Sequence, residues 1–398
     1  MDADAALAVV CNVIDAALIR ASRRKIDITH VAMCSFWHSL MGVDARGKPT
    51  TPVLGWADTR SGKYSAELKR RFDENEVHNR TGAHFHSSFW PAKLLWLRRE
   101  RPAVFARTAK WIDFGDYVTM RLTGKCVTSV SMASATGIFD QRTCKWDGDL
   151  LRYLKLKRSV LPEIGTSGIS LRFSRTSLKR WPLLKSAELS PAIGDGAADH
   201  VGACGIGKGR ASLMVGTSAA MRIAYKGPPP KQIPPGLWSY RIDDKRVIVG
   251  GALSDGGNLY EWCRRGFKLP PNAEKEIRHR DTQRTLPTVL PYFHGERSTG
   301  YREDARGAIL DLLPSHDGVD ILDAAMRAVA ERIAEISKRL DRVARIDQIT
   351  ASGGALDASP LWREMIASAL GREIEITSLG ESALRGIVQL ALEHINAE

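Results

Sequence analysis

The segment AIGDGAADHVGACGIGKGRASLMVGTSAAMR, residues 192–222, contains the residues best suited to chemistry. It places an isolated acid pair, Asp195 and Asp199, among glycines and follows it with a Gly-Thr-Ser turn at residues 216–218. A carboxylate can take a proton from an attacking hydroxyl, and glycine lets the backbone approach a phosphate and donate N–H groups to it. An aspartate between glycines is also typical of an Asx turn, which is the structural alternative for Asp195.

A second glycine turn ends RIDQITASGG, residues 345–354, which the pattern predicts to be a strand. The following SPLWREMIASALG, residues 359–371, predicts a helix that ends at Gly371. A strand, a glycine turn and a helix N-terminus direct free N–H groups and the helix dipole at one point, which suits a phosphate or nucleotide. A plain connection between a strand and a helix is the more frequent meaning of a single Gly-Gly pair.

One segment imitates a P-loop without its context. GACGIGKG, residues 202–209, matches GxxxxGK, but Gly209 stands where a Ser or Thr would bind Mg²⁺. The next residues, RASLMVG, predict a strand, whereas a P-loop opens a helix. We therefore exclude a P-loop here.

Two polar segments have ordinary interpretations. His78, His84 and His86 have no accompanying set of Cys or carboxylate ligands, so we interpret them as surface or hydrogen-bonding histidines. PYFHGERSTGYREDARG, residues 291–307, is dense in charge and is typical of a solvated or salt-bridged loop.

The elements that must position these residues alternate between helix and strand. The pattern predicts an amphipathic helix over residues 1–25, a buried strand over 26–36 and mainly helix over 61–123. Residues 175–205 predict a strand and a glycine turn, and residues 318–344 predict a long amphipathic helix. We place a domain boundary near Gly207, which gives domains of residues 1–207 and 208–398.

Composition narrows the class of protein. The chain has 398 residues, 43% of them apolar, which is enough for two or three domains with real cores. Its 58 Lys and Arg against 45 Asp and Glu give a net charge of +13, but the excess is spread along the chain with 7% aromatic residues. Basic enzymes with anionic ligands explain such a charge, so a nucleic-acid partner is not expected.

The cysteines and the N-terminus indicate the compartment. Six scattered cysteines without CxxC spacing predict free thiols in a reducing environment. No stretch approaches the apolar length of a membrane span, and the early acids of the first helix differ from a signal peptide. We therefore expect a cytoplasmic protein without a membrane partner.

Read in order, eight blocks of the sequence resemble the FGGY family of carbohydrate kinases over essentially the whole chain. The blocks are FWHSLMGVDARGKPTTPVLGWADTRS, DYVTMRLTG, SMASATGIFD, WPLLKSAELSPAIGDGAADHVGACG, VGTSAAMR, GGALSDGGNLYEW, LPYFHGERSTGYREDARGAI and SGGALDASPLWREMIASALGREIEI. The resemblance implies an α/β protein with two actin-like (ribonuclease-H-like) domains around a central cleft. Sugar would bind on the N-terminal side of that cleft and ATP on the C-terminal side.

The resemblance also implies roles for residues on the sugar side. By matching position, Asp195 is expected to be the general base, while Asp199 is expected to be structural. Contacts with the sugar are expected from the apolar and polar groups of FWHS and WADTR, namely Trp37, His38, Asp58 and Arg60. Core packing is the alternative for Trp37, and a local ion pair is the alternative for Asp58 and Arg60.

On the nucleotide side the matching positions fall in three turns. The phosphates are expected at residues 216–218, and ribose and adenine near the GGNLYEW and SGGALDAS segments. The nucleotide-binding residues implied are Gly216, Thr217, Ser218, Gly257, Glu261, Gly354, Ala355 and Ala358. No metal ligand is assigned.

The resemblance implies a transferase that uses ATP and Mg²⁺ to phosphorylate a hydroxyl of a sugar or sugar acid. The blocks PAIGDGAADHVGA and GTSAAMR are most similar to the gluconate-kinase branch, so gluconate is favoured over xylulose or glycerol. A homodimer is an allowed assembly. The alternative from another class is a catalytically degenerate, sugar-binding or regulatory kinase homologue.

The sequence departs from the family at its start. The family carries an N-terminal hairpin with a D-x-G-[ST] turn for phosphate and Mg²⁺, and no residue before Asp15 supplies one. We therefore expect a first domain truncated at its N-terminus, with exposed sheet edges. A misplaced start, a truncated gene and a degenerate kinase each account for this departure.

Overall fold

The computed structural model describes residues 1–166, 168–281, 284–377 and 380–395. Helices and strands form two α/β halves on either side of a cleft, so the predicted fold class is confirmed. The N-terminal half has ten α-helices among its described residues: α1 Ala3–Arg23, α2 Gly62–Arg71, α3 Glu74–Thr81, α4 Trp90–Glu100, α5 Pro102–Arg107, α6 Phe114–Thr123, α7 Val130–Ser134, α8 Gly148–Tyr153, α9 Arg175–Arg180 and α10 Asp195–Cys204.

Short strands connect these helices. They are β1 His30–Val31, β2 Cys34–Ser35, β3 Met41–Val43, β4 Lys110–Ile112, β5 Val127–Ser129, β6 Phe139–Asp140, β7 Lys145–Trp146, β8 Glu163–Gly165, β9 Leu171–Arg172, β10 Glu188–Leu189 and β11 Ile193–Gly194. The buried strand predicted over residues 26–36 is instead two short strands, β1 and β2, that pair in parallel with β10 and β11. Helix dominates residues 61–123, as predicted.

The first helix is anchored to its neighbours by polar contacts as well as by apolar packing. Tyr117 and Arg121 donate to Asp4, and Arg180 and Trp181 donate to Asp15. By length and composition α1 is nevertheless apolar enough to cross a membrane, with a mean hydropathy of 1.7. The expectation that no stretch approaches a membrane span is therefore wrong for this helix.

The C-terminal half contains the longer strands. Its elements are β12 Gly209–Val215, β13 Ala219–Lys226, β14 Trp238–Arg241, β15 Arg246–Leu253, α11 Gly257–Gly266, α12 Ala273–His279, β16 Thr288–Leu290, β17 Ala308–Leu310, α13 Gly318–Leu340, β18 Ile346–Ser352, α14 Gly354–Ala358, α15 Pro360–Leu370, β19 Glu375–Ile376 and α16 Ser382–Ile395. The strand predictions on both sides of residues 216–218, the glycine turn after β18 and the helix ended by Gly371 are confirmed.

A six-stranded sheet in the order β14-β15-β13-β12-β18-β19 organises this half. β12, β13, β15 and β14 pair antiparallel, and β18 and β19 join in parallel. The amphipathic helix α13 packs on β13 and β15, while α10 contacts β12 and β18. Coverage by helices explains why the central strands are apolar along most of their length, as in Leu213, Val215, Val247 and Val249.

The acid pair lies in a helix rather than in the predicted glycine turn. Asp195 is the first residue of α10, and Gly194 precedes it with extended backbone. The glycines of this segment suggested a turn, but in the structure small residues allow a close contact between α10 and α16. A Cβ at Gly202 would stand 1.8 Å from the carbonyl oxygen of Ser382, and one at Gly386 would stand 1.8 Å from that of Ala198. Helices α10 and α16 therefore touch backbone to backbone.

The two halves also meet along β14, where buried His78 provides a contact. The ring Nε2 of His78 lies 2.7 Å from the carbonyl oxygen of Leu237, so Nε2 carries the hydrogen and donates it. Burial lowers the pKa of His78 from 6.5 to about 3. The folded protein thus holds this imidazole neutral at pH values where the unfolded chain would protonate it.

This depressed pKa predicts a pH-dependent stability. Below pH 6.5 the unfolded chain binds a proton at residue 78 that the folded chain refuses until about pH 3, so acid favours unfolding. His78→Gln keeps an N–H donor and removes the titration. The free energy of unfolding of the wild type should fall relative to that of the variant by about 1.4 kcal/mol per pH unit below pH 6. Urea titrations between pH 5 and about pH 8 measure this difference, and a constant difference would contradict the assignment.

Candidate active site

A cavity of about 150 Å³ lies between the two halves. Four of the residues around it are predicted site residues, Trp37, His38, Asp195 and Ser218, and Gly196 follows the predicted base directly. The other residues that line it are Trp56, Ser88, Phe89, Met214, Ala220, Arg222, Trp238, Tyr240, Ala252, Arg297 and Tyr301. The structure therefore brings the predicted base, part of the predicted sugar site and part of the predicted phosphate turn to one place.

Asp195 presents its carboxylate at the bottom of this cleft. Oδ1 accepts hydrogen bonds from the backbone N–H groups of Gly196 at 2.8 Å and Trp37 at 3.3 Å. The side chain is open to the cleft, yet protein surrounds it closely, and this desolvation raises its pKa above the ordinary 3.8 although Arg222 acts in the opposite direction. A carboxylate with a raised pKa is a stronger proton acceptor.

The glycines around Asp195 make room for Trp37. A Cβ at Gly194 would stand 1.8 Å from the indole Nε1, and one at Gly196 would stand 2.6 Å from Cζ3. The buried indole donates from Nε1 to the carbonyl oxygen of Ser131 at 3.2 Å. Trp37 thus fixes the start of α10 from below while its backbone N–H holds the carboxylate.

His38 forms the adjoining wall in an unusual backbone conformation, with φ at 67°. Its Nδ1 lies 2.7 Å from the carbonyl oxygen of Ala135, so Nδ1 carries the hydrogen and Nε2 is left as an acceptor. Burial lowers the pKa of His38 to about 3, which keeps the ring neutral. A neutral ring with a free acceptor suits a sugar hydroxyl.

Lys93 holds the backbone behind His38. Its Nζ donates to the carbonyl oxygens of His38 at 2.8 Å and Ser88 at 2.7 Å. Complete burial lowers the pKa of this amine to about 7. Lys93 was not among the predicted site residues, because it stands alone in the otherwise apolar residues 90–97 of α4.

Asp58 and Arg60 bind each other. The guanidinium approaches the carboxylate to 2.5 Å and lies 4.8 Å above the ring of Trp96. Neither residue lines the cavity, so the local ion pair considered for them is present. Their contact with a sugar stays a prediction.

Asp199 belongs to the support of the site, in agreement with its expected structural role. It pairs with Arg222 at 2.8 Å and accepts a hydrogen bond from Ser382. Arg222 lines the cavity and is buried. Arg222 therefore lies near Asp195, and the positive charge of Arg222 is already balanced by Asp199.

The segment 291–307 departs from the solvated loop that its charge predicted. It carries Arg297 and buried Tyr301 into the cavity, where Tyr301 contacts His84, His86 and Phe89. Part of the prediction holds, because Arg302 and Glu296 form an ion pair at 2.6 Å. The sequence feature that could have indicated this role is the presence of Arg297 and Tyr301 within the charged segment.

The segment is also fastened to the N-terminal half. Glu303 accepts from Ser65 Oγ at 2.7 Å and Ser87 Oγ at 2.9 Å, while Lys69 donates to the carbonyl oxygen of Tyr301 at 3.3 Å. The interpretation of the nearby histidines as hydrogen-bonding groups is confirmed for His84, which accepts from Gly236 N at 3.2 Å. The loop is thus part of the domain interface.

The three predicted nucleotide turns converge in the C-terminal half. The N–H of Gly257 donates to the carbonyl oxygen of Gly216 at 2.7 Å. A Cβ at Gly257 would meet Ala355 at 3.4 Å, and one at Gly353, where φ is 111°, would stand 2.3 Å from the carbonyl oxygen of Val215. Such crowded backbones leave room for glycine alone, and we call the surface that they form the glycine cradle.

Two helices begin at this cradle. Gly257 is the first residue of α11, on which Glu261 is exposed, and Gly354 is the first residue of α14, whose last residue is exposed Ala358. Thr217 accepts from the N–H of Asn258 through its carbonyl oxygen at 3.2 Å. The predicted residues therefore share one surface, and their contact with a nucleotide stays a prediction.

The described residues contain no group of three or more His, Cys, Asp or Glu side chains that could hold a metal ion. Mg²⁺ is usually held by one or two carboxylates together with substrate phosphates and water. Asp195 is the only carboxylate residue among those that line the described cavity. The predicted Mg²⁺ thus rests on the family resemblance, and no step derived below passes through it.

The fold and site are those of a two-domain carbohydrate kinase. The sequence matches the N-terminal domain of the FGGY family of carbohydrate kinases over residues 1–198 and its C-terminal domain over residues 211–393. The chain belongs to this family.

Individual relatives agree with this assignment. The chain is similar to a gluconokinase of Bacillus subtilis, with 26% identity over 92% of this chain and 74% of that protein. A probable glycerol kinase of Caenorhabditis elegans is 30% identical over 86% of this chain and 72% of its own length. The crystal structure of a gluconate kinase from Lactobacillus acidophilus superposes with a TM-score of 0.85 at 26% identity, covering 94% of this chain and 77% of that chain.

Proposed function

We propose that this carbohydrate kinase uses ATP to phosphorylate a hydroxyl of a sugar or sugar acid, with Asp195 as the general base. One observation carries the proposal: Asp195 and Ser218, the last residue of the turn at residues 216–218, border the same cavity from opposite halves. A hydroxyl held in that cavity lies between a proton acceptor and a phosphate cradle, which is the arrangement that phosphoryl transfer requires.

The residues of the chain divide the work. Trp37 offers an apolar face for the carbon skeleton, and Nε2 of His38 accepts a hydrogen from a hydroxyl. Asp195 takes the proton of the attacking hydroxyl as the oxygen bonds to phosphorus. The aromatic walls of Trp238, Tyr240 and Tyr301 exclude water, which would otherwise compete with the sugar for the phosphoryl group.

ATP supplies the transferable phosphoryl group when it is bound. In this proposal the backbone N–H groups around residues 216–218 donate hydrogen bonds to its phosphates. Ribose and adenine bind at the surface bordered by Gly257, Glu261, Gly354, Ala355 and Ala358. Mg²⁺ and ATP together are the expected cofactors. We also infer that the protein acts in the cytoplasm, which its six free cysteines and its requirement for ATP support. Whether it forms a homodimer is to be tested.

Gluconate is the favoured acceptor. Two gluconokinases and a gluconate kinase structure are among the similar proteins, which supports gluconate over xylulose or glycerol. Glycerol kinases and a xylulose kinase are similar to this chain over comparable lengths. A direct measurement of activity must therefore decide between gluconate, xylulose and glycerol.

The test is release of ADP by the purified chain with Mg-ATP and gluconate, xylulose, glycerol or ribulose. We expect the highest kcat/KM with gluconate and its loss in Asp195→Asn. Activity that prefers a neutral sugar would overturn the choice of gluconate. Sugar binding without ADP release or Mg-ATP binding, in a folded sample, would instead identify a degenerate, sugar-binding homologue.

A further inference from the structure

Arg297 lines the cavity as a half-buried residue, and its guanidinium forms no ion pair with a carboxylate of the described residues. Its Nη2 donates to the carbonyl oxygen of Leu253 at 2.7 Å, and its guanidinium lies 4.4 Å above the ring of Trp56. Its Nε is buried and has no hydrogen-bond partner among the described residues. A guanidinium that lines a cavity without an ion pair is stabilised when an anion binds beside it.

The nearby carboxylates are already engaged. Glu296, the preceding residue, pairs with Arg302 and Arg332, each at 2.6 Å. Asp255 pairs with His294, also at 2.6 Å. The second arginine of the cavity, Arg222, differs in this respect because Asp199 balances its charge.

The surroundings of Arg297 favour binding of an anion beside its guanidinium. Burial is the main cause that lowers the pKa of its guanidinium to about 10. The lowered pKa means that the protonated guanidinium is less stable in this site than it is in water. A bound anion stabilises the protonated form and so acts in the opposite direction. The planar guanidinium stacked on Trp56 is suited to a planar carboxylate, which it can grip with two parallel hydrogen bonds.

We propose that Arg297 is a specificity-determining residue that binds the carboxylate of a sugar acid and so selects an anionic acceptor over neutral sugars. This inference rests on the proposed function, whose substrate class it specifies. The transferring phosphoryl group is the other oxyanion that Arg297 could meet, and the experiment separates the two sources.

The test compares the wild type with Arg297→Met, Arg297→Lys and the control Arg306→Gln. Arg306 lies in the same loop, is exposed and donates to backbone carbonyl oxygens. We expect Arg297→Met to raise KM for gluconate on the order of 10- to 100-fold while kcat and the kinetics with xylulose change little. Arg297→Lys keeps the charge but cannot form two parallel hydrogen bonds, so its KM for gluconate should lie between those of the wild type and Arg297→Met. The control Arg306→Gln should have the KM of the wild type.

Calorimetry with gluconate and with xylulose tests the same inference without turnover. Gluconate affinity should fall in Arg297→Met and xylulose affinity should not. An equal fall of kcat with both acceptors would assign Arg297 to the phosphoryl group and overturn the inference, and unchanged gluconate binding would overturn it as well. If no sugar yields ADP, the proposed function fails, and the binding arm still decides the role of Arg297.

Discussion

Asp195→Asn should lower kcat on the order of 10²- to 10⁴-fold, because the amide keeps the shape of the side chain and cannot take the proton of the attacking hydroxyl. The Asn side chain can still accept through its oxygen from Trp37 N and Gly196 N, so the start of α10 should stay in place. Sugar affinity and the melting temperature should therefore change little. Steady-state kinetics, calorimetry and thermal unfolding of the purified variant measure the three quantities.

The pH dependence adds a signature of the base. Protonation removes the acceptor, so kcat/KM of the wild type should fall on the acid side through a pKa above 3.8, which desolvation of Asp195 by the surrounding protein raises. Asp195→Asn should lose that limb. Asp347→Asn makes the same change at an exposed residue that pairs with Arg345 and should retain full activity. A wild-type rate in Asp195→Asn would refute the assignment.

Gly202→Ala should have the largest effect on stability. Its Cβ would need space that the carbonyl oxygen of Ser382 occupies at 1.8 Å, so α10 and α16 would have to separate. Overpacking of this kind costs about 1–3 kcal/mol or more, which exceeds the gain of about 1 kcal/mol that alanine brings to a helix interior. Activity should fall too, because Asp195 begins the displaced helix.

A matched variant separates crowding from the general effect of removing a glycine. Gly148 begins helix α8, and no atom lies within 4 Å of the Cβ that alanine would add there. Gly148→Ala should therefore be neutral or slightly stabilising in urea unfolding. If Gly202→Ala were equally benign, the backbone contact between α10 and α16 would not exist in solution.

Local pattern was sufficient for much of the C-terminal half. Helix α13 has a strong amphipathic repeat and a capping box of Asp317 and Asp320, and its extent followed from sequence. Strands β12, β13 and β18 are apolar runs bounded by glycine, and these boundaries were also readable. Short strands such as β1 and β2 carry too few residues for their period to show.

Long-range contacts account for what the sequence did not reveal. Helix α10 looked like a turn because Gly194, Gly196 and Gly202 are shaped by Trp37 and α16, which lie far away in the chain. Arg297 and Tyr301 lie in the cavity on a loop that Glu303 and Lys69 fasten to the opposite half, and these contacts span more than 200 residues of the chain. The isolation of Arg297 from carboxylates is a property of the folded molecule, and no local pattern expresses it.

The contact between α10 and α16 has a consequence for synthesis on the ribosome. Ser382 follows Asp199 by 183 residues, which at ordinary elongation rates takes roughly 10–40 s to add. Until then α10, which carries the proposed general base Asp195, emerges without its supporting partner. The N-terminal half is therefore synthesised well before α16, and the contact that holds α10 in place forms late in synthesis.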